Sequence, residues 1–402
     1  MTGTIAARHG PHDAPSGEAQ ATSVYVHVPW CVRRCPYCDF ATRAVEPAAI
    51  AHERYADAVL RELEQRAPAL EGRRLVSVFF GGGTPSLWSP QALGRVLRGI
   101  VGAFGARLGE LEVSVECNPG SFEDDRAAQL VEVGVTRLSI GVQSLDEATL
   151  AFLGRAHDAR QALRSVRSAS ECGAAVSADL IIGVATLSAM ETAAQVAPLV
   201  EAGARHVSAY VLTIEPGTRF GALHRAGRLP IRTEDDVVET YWRLADACAA
   251  VGLEHYEVSN HAAPGQRCVH NLHYWRAGDY VGLGAAAVGC LLETPGRARR
   301  WRNEPDPDRY MALVEAGRLP EADEERLGPA ELVREGLMLG LRTDEGADMR
   351  ALARRAGVEP SHGRAQAIAR RIERGDLVRD EQRLRVPRSR WLVLDSIVVD
   401  LF

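Results

Sequence analysis

Along most of the chain, short runs rich in Val, Ile and Leu alternate with longer stretches whose apolar residues recur every three or four positions. The runs cover residues 23–28, 75–80, 111–116, 137–142, 176–182 and 206–213, and each closes on glycine or polar residues. The stretches between them, 47–67, 90–104, 124–133, 160–172 and 190–202, carry a helical period, and a sixth, 233–251, follows the last run. Strands this apolar predict burial on both faces, and their alternation with helices predicts parallel pairing through right-handed crossovers. Six units are too few to close an eight-fold barrel. The expected fold class is therefore α/β, a partial (βα)6 barrel of the TIM type, with chemistry where strand C-termini meet the following loops.

The texture changes from about Glu324. Short helical periods at 329–341, 349–356 and 364–374 precede a hairpin at 377–386 and a last strand at 391–401. Residues 1–22 are rich in Gly, Ala, Pro, Ser and His and read as a disordered tail, not a signal peptide. The expected division is a tail over 1–22, a barrel over 23–255, a closing region over 256–323 and a small domain over 324–402. Apolar content of 46% and charged content of 25% are those of a soluble globular protein. A net charge of −6, and a C-terminal region with mixed charges and no basic stripe, give no reason to expect nucleic acid or an anionic membrane as partner. With no run of about eighteen apolar residues, no transmembrane helix is expected. Eight cysteines in 402 residues are not a disulfide scaffold, and with three of them clustered a reducing cytoplasm is the expected compartment.

Those three, Cys31, Cys35 and Cys38, follow the first run in YVHVPWCVRRCPYCDF, where Pro29 ends the strand because it has no N–H to give. Three thiolates spaced Cys-x3-Cys-x2-Cys suit a single soft metal centre. A closed zinc site wants a fourth protein ligand, and no Cys or His stands in the next dozen residues. An iron–sulfur cluster accepts the arrangement, and three-thiolate ligation leaves one iron open. Polar candidates stand at the ends of the later runs. Gly81-Gly82-Gly83-Thr84-Pro85 allows close backbone approach to a ligand, or is simply a tight turn. Glu116 and Gln143 end the third and fourth runs, and Asp179 is an acid inside an apolar strand, costly unless it is paired. Arg155 is a natural fork for a carboxylate, while a satisfied surface position suits His157 equally well. HNLHYW at 270–275 offers an aromatic platform and an imidazole for iron, or else a buried corner that closes the barrel.

Cys-x3-Cys-x2-Cys, with Tyr37 before the last cysteine, resembles the radical S-adenosylmethionine (SAM) superfamily. YVHVPWC, GGGTP, LSIGVQS, YEVSN and HNLHYW resemble the HemN/HemW group within it, the anaerobic coproporphyrinogen III oxidases and related heme chaperones. The resemblance implies a 4Fe–4S cluster on Cys31, Cys35 and Cys38, with SAM on the open iron. It implies a SAM site lined by Tyr25, Tyr37, Gly82, Gly83, Thr84, Glu116, Gln143, Arg155, Asp179 and Val211, and it assigns no catalytic residue. It also implies heme, with His270 as the participant, and an acceptor hemoprotein, the respiratory type among them. The small C-terminal domain is expected to be winged-helix-like, and a homodimer is left open. Phe40 stands where the oxidases resemble a fourth cysteine, and only a tail precedes the first run, which favours the heme-chaperone branch, HemW-like. The chain departs from the family at Val184-Ala185-Thr186, where Gly-Leu-Pro-Gly is usual, and at Val288, where many chaperones have histidine. Whether the chain is an enzyme stays open, with oxidation of coproporphyrinogen III and radical methyl transfer as the two rival activities.

Overall fold

A computed structural model describes residues 19–121 and 125–402. Most of the expected tail, residues 1–18, lies outside the described residues, as does Asp124 at the start of one expected helix. The six expected strands are β1 (Ala21–Val28), β2 (Arg74–Gly82), β3 (Glu112–Cys117), β4 (Arg137–Gln143), β5 (Ala175–Ile182) and β6 (His206–Val211). They are neighbours in that order and all parallel.

Alternation along these strands decides what they enclose. One set of side chains, among them Val24, Val26, Val78, Val115, Ile140 and Leu180, packs outward into the core with the helices. The other set points inward and is far more polar than a barrel interior usually is. Every strand from β2 to β6 carries a serine there, Ser77, Ser114, Ser139, Ser177 and Ser208, each flanked by apolar residues, and Ser23 of β1 pairs with Ser77. Small inward residues leave the barrel hollow, and a cavity of about 1100 Å³ runs through it.

The sheet extends beyond six strands. On the β6 edge lie the antiparallel β7 (Glu254–Glu257) and β8 (Asn260–Ala262). On the β1 edge, β9 (Asp279–Leu283) adds a seventh parallel strand. The antiparallel β10 (Val288–Thr294), β11 (Arg297–Asn303) and β12 (Glu321–Leu327) then follow. The edge strand β12 reads EADEERL, and its exposed acids and arginine discourage pairing with another chain.

Several boundaries differ from expectation for identifiable reasons. The helix expected over 190–202 is two, Ala189–Ala194 and Val196–Glu201, because Pro198 gives no N–H to Ala194 and crowds its carbonyl. The segment 47–67 starts as a 3-10 turn, Pro47–Ala49, and the helix runs from His52 to Leu70. In the C-terminal region the helices Pro329–Gly340, Met349–Ala356 and Ala365–Glu373 pack over a three-stranded sheet. The last expected strand, 391–401, is instead a 3-10 turn, Arg388–Val393, and a helix, Leu394–Val399. Its buried residues, Trp391, Leu394, Ile397, Val398 and Leu401, recur at helical spacing, and this packing overrides the β-branched composition.

Candidate functional site

The cysteine loop hangs from the end of β1. Its first turn is pinned by a short pairing of Trp30–Cys31 with Arg43–Ala44, through Arg43 N to Pro29 O (2.7 Å) and Val45 N to Cys31 O (2.9 Å). Thr84 Oγ1 lies 3.5 Å from Cys31 Sγ, and an Arg155 guanidinium nitrogen lies 3.4 Å from Cys35 Sγ and 3.5 Å from Tyr37 Oη. All three thiols are half-buried and free, and burial pushes Cys31 and Cys38 above the ordinary thiol range. Among the described residues no three His, Cys, Asp or Glu side chains converge as the ligands of a single ion would. A cluster spreads its thiolates over separate irons, so this donor set, three sulfurs around one cavity beside a guanidinium and a hydroxyl, fits a cluster better than a lone ion.

The glycine motif follows from packing against this loop. A Cβ on Gly82, whose φ is +113°, would meet the His27 ring at 2.5 Å, and one on Gly83 would meet Trp30 O at 2.5 Å. Its amides are already engaged. Gly82 N donates to Glu116 Oε2 (3.0 Å), Gly83 N to Val28 O (2.8 Å) and Thr84 N to Trp30 O (2.7 Å). The backbone donors expected to face a ligand are thus spent on fixing the loop to β1 and on Glu116.

Glu116 and Asp179 face the cavity from β3 and β5. Burial pushes Glu116 up to about 7, offset in part by the Gly82 amide, and Asp179 up to about 6, offset by the Ser208 and Ser139 hydroxyls. Gln143 ends β4 with a φ of +63°, an uncommon conformation for a residue with a side chain, and this turns it into the cavity. Arg155 is steadied by Gly141 O (3.1 Å). His157 is not the surface residue that one reading allowed. It is buried and its Nε2 donates to Val142 O (3.0 Å).

HNLHYW forms the short helix Val269–Trp275. His270, Asn271, Tyr274 and Trp275 share the face that lines the cavity, while His273 turns away and donates to Asp279 O (2.7 Å). Glu112, at the start of β3, accepts from the amides of Val269 (3.0 Å) and His270 (2.9 Å), which caps the helix. The His270 ring stacks on Phe79 with centroids 4.9 Å apart, and Nδ1 pairs with Ser77 Oγ (2.9 Å). Burial holds it down at about 3, so the imidazole is neutral, the form that ligates metals. Its Nε2 has no hydrogen-bond partner among the described residues.

All fourteen residues proposed from the sequence line this one cavity. Val288 lines it too, whereas Val184, Ala185 and Thr186 do not, so the departure at 184–186 stays outside it. Sequence reasoning missed His27, Tyr210, Glu257 and Asn260 as lining residues. The last two stand in YEVSN, where a lone acid among apolar neighbours was the available signal. No helix among the described residues is long and apolar enough to cross a membrane.

Parallel strands around a cavity with a three-cysteine loop at the end of β1 define a radical SAM protein, and a profile described as the radical SAM superfamily matches residues 25–197. A second, the HemN C-terminal domain, matches residues 327–393. The heme chaperone HemW of Escherichia coli (strain K12) is 38% identical over 294 residues, 72% of this chain and 75% of that protein. HemW of Mycobacterium tuberculosis (strain H37Rv) is 36% identical over 83% of this chain and 84% of its own. The mitochondrial radical S-adenosyl methionine domain-containing protein 1 of Bos taurus is 34% identical over 98% of this chain and 90% of its own. The solved structure of the E. coli coproporphyrinogen III oxidase HemN superposes with a TM-score of 0.79 at 19% identity, over 96% of this chain and 91% of that one, a likeness of fold. The chain belongs to the HemW heme-chaperone family of the radical SAM superfamily.

Proposed function

We propose that the chain carries a 4Fe–4S cluster on Cys31, Cys35 and Cys38, binds SAM beside it, and holds heme for delivery to an acceptor hemoprotein. The observation that carries this reading is the single cavity shared by the cysteines, the polar residues from Tyr25 to Val211 and His270. A cluster held by Cys31, Cys35 and Cys38 would supply a Lewis-acidic iron, free of protein ligands, for the polar end of SAM. The protein supplies the rest. Arg155 sets a positive charge against Cys35, and Thr84 donates to Cys31. Glu116, Asp179 and Gln143 present acceptors and an amide to a ribose or an amine. Phe79 stacks on His270, Tyr274 leans against it and Tyr25 stacks on Phe79, an aromatic wall for a macrocycle with Nε2 of the neutral imidazole left for iron.

The test is anaerobic reconstitution of the full chain, followed by titration with heme and, separately, incubation with coproporphyrinogen III, SAM and a reductant. Stable heme binding, lost in His270→Ala while the cluster spectrum persists, is the expected result, with no protoporphyrinogen formed. Replacing Cys31, Cys35 and Cys38 with alanine is expected to abolish cluster absorption. Formation of a vinyl-bearing product with 5′-deoxyadenosine would sink the chaperone reading, and undiminished heme binding in His270→Ala would overturn the role given to His270.

A further inference from the structure

The cavity wall includes a third carboxylate for which the motifs suggest no role. Glu257, at the end of β7, is fully buried. Its Oε2 accepts from Ser259 N (3.1 Å) and the Asn260 side chain lies close enough to favour the carboxylate, but Oε1 has no partner of good hydrogen-bond geometry among the described residues. Asn260, at the start of β8, is buried on the same wall, and its Oδ1 also lacks one. Two buried acceptors without donors are costly unless a donor or a positive charge faces them. Glu116 and Asp179 line the same cavity, and Tyr210 lies in the field of all three acids. The buried cations that reach this space are engaged elsewhere. Arg155 faces Cys35, and Arg137 is paired with Glu112 at 3.0 Å. Above the values to which burial raises them, about 7 for Glu116 and Glu257 and about 6 for Asp179, the three acids leave the interior with more negative than unengaged positive charge, within low-dielectric walls that make such an imbalance felt.

We propose that Glu257, with Asn260, selects the charge of the cavity's ligand, favouring a cation over a neutral molecule of the same shape. This rests on the SAM reading above, in which the cation is a sulfonium and its neutral counterpart the thioether S-adenosylhomocysteine. The full chain, reconstituted anaerobically, is titrated calorimetrically with each compound at pH 8.5, above the value of about 7 to which burial raises Glu257. Wild type is expected to prefer SAM. Glu257→Gln lowers SAM affinity by about tenfold and leaves S-adenosylhomocysteine within about twofold, the scale of one buried charge interaction. Asn260→Asp, which adds a negative charge on the same wall, widens the preference. Equal weakening of both compounds in Glu257→Gln would make its role structural and overturn the proposal, as would a preference unchanged in both variants. Wild type binding neither compound would overturn the SAM reading itself, a result distinct from either.

Discussion

Glu116 and Asp179 make a prediction whose sign follows from their surroundings. Both are held protonated to higher pH in the folded chain, Glu116 to about 7 against an ordinary 4.5 and Asp179 to about 6 against 3.8. Folding then binds protons that the unfolded chain has already released, so their contribution to stability is present below the ordinary values and is lost as pH rises through the raised ones. The buried histidines, His206 and His270 at about 3, pull the other way, since folding keeps them neutral and favours higher pH. The clean measurement is therefore a difference. The melting temperature of ligand-free Glu116→Gln minus that of wild type should be small at pH 5 and grow more positive by pH 8. A difference that shrinks with rising pH would show that Glu116 is stabilised as a carboxylate. Gln143 offers a second check. Its positive φ suits glycine, so Gln143→Gly should cost little stability while weakening SAM binding, and Gln143→Val should cost about 1–2 kcal/mol more in urea unfolding.

The helix Val269–Trp275 shows how much was legible in the chain and how much was not. HNLHYW announced a polar-aromatic element, and the i, i+1, i+4, i+5 spacing of His270, Asn271, Tyr274 and Trp275 puts them on one face once a helix is granted. What holds that helix in place was invisible. Glu112 lies 158 positions from His270, and nothing local in the sequence links the two. The six parallel strands were legible because their outward side chains are uniformly apolar. The hollow interior was not, although a serine in each of β2 to β6 was on view, because one small residue per strand is too weak a period to be seen singly. The terminal helix Leu394–Val399 was misread because β-branched residues dominate it and tertiary packing outweighed them. The clamp yields its own test. Glu112→Gln keeps the shape but weakens the cap and the 3.0 Å ion pair with Arg137, and should cost about 1–3 kcal/mol in urea unfolding. Heme binding should weaken with it while cluster content stays at the wild-type level. Unaltered heme affinity at reduced stability would uncouple the helix from the heme site.

The C-terminal domain reaches the cavity rather than merely flanking the barrel. Leu339, from the helix Pro329–Gly340, lines it, and the turn between β7 and β8 is gripped from outside by Val258 N to Arg342 O (3.0 Å) and Asp344 N to Tyr256 O (2.9 Å). Partly exposed ion pairs close the seam, Arg267 with Asp344 at 2.9 Å and Arg276 with Glu345 at 2.7 Å, and Trp391 meets the His255 ring edge-on at 4.7 Å. The wall bearing Glu257 and Asn260 is thus a surface shared by two parts of the molecule. Loosening the seam should alter what the cavity retains without touching the cysteine loop, which hangs from β1 in the interior of the sheet. Each exposed pair is worth only about 0.2–1 kcal/mol, so removing both acids in Asp344→Ala/Glu345→Ala should lower the melting temperature modestly. It should also speed amide hydrogen exchange in the helix Pro329–Gly340 and increase the heme dissociation rate. Because these charges are screened, 0.5 M salt should bring the wild type toward the variant and change the variant little. Equal salt sensitivity in both proteins would mean that the seam is held by its apolar contacts, and that the C-terminal domain closes the cavity by packing alone.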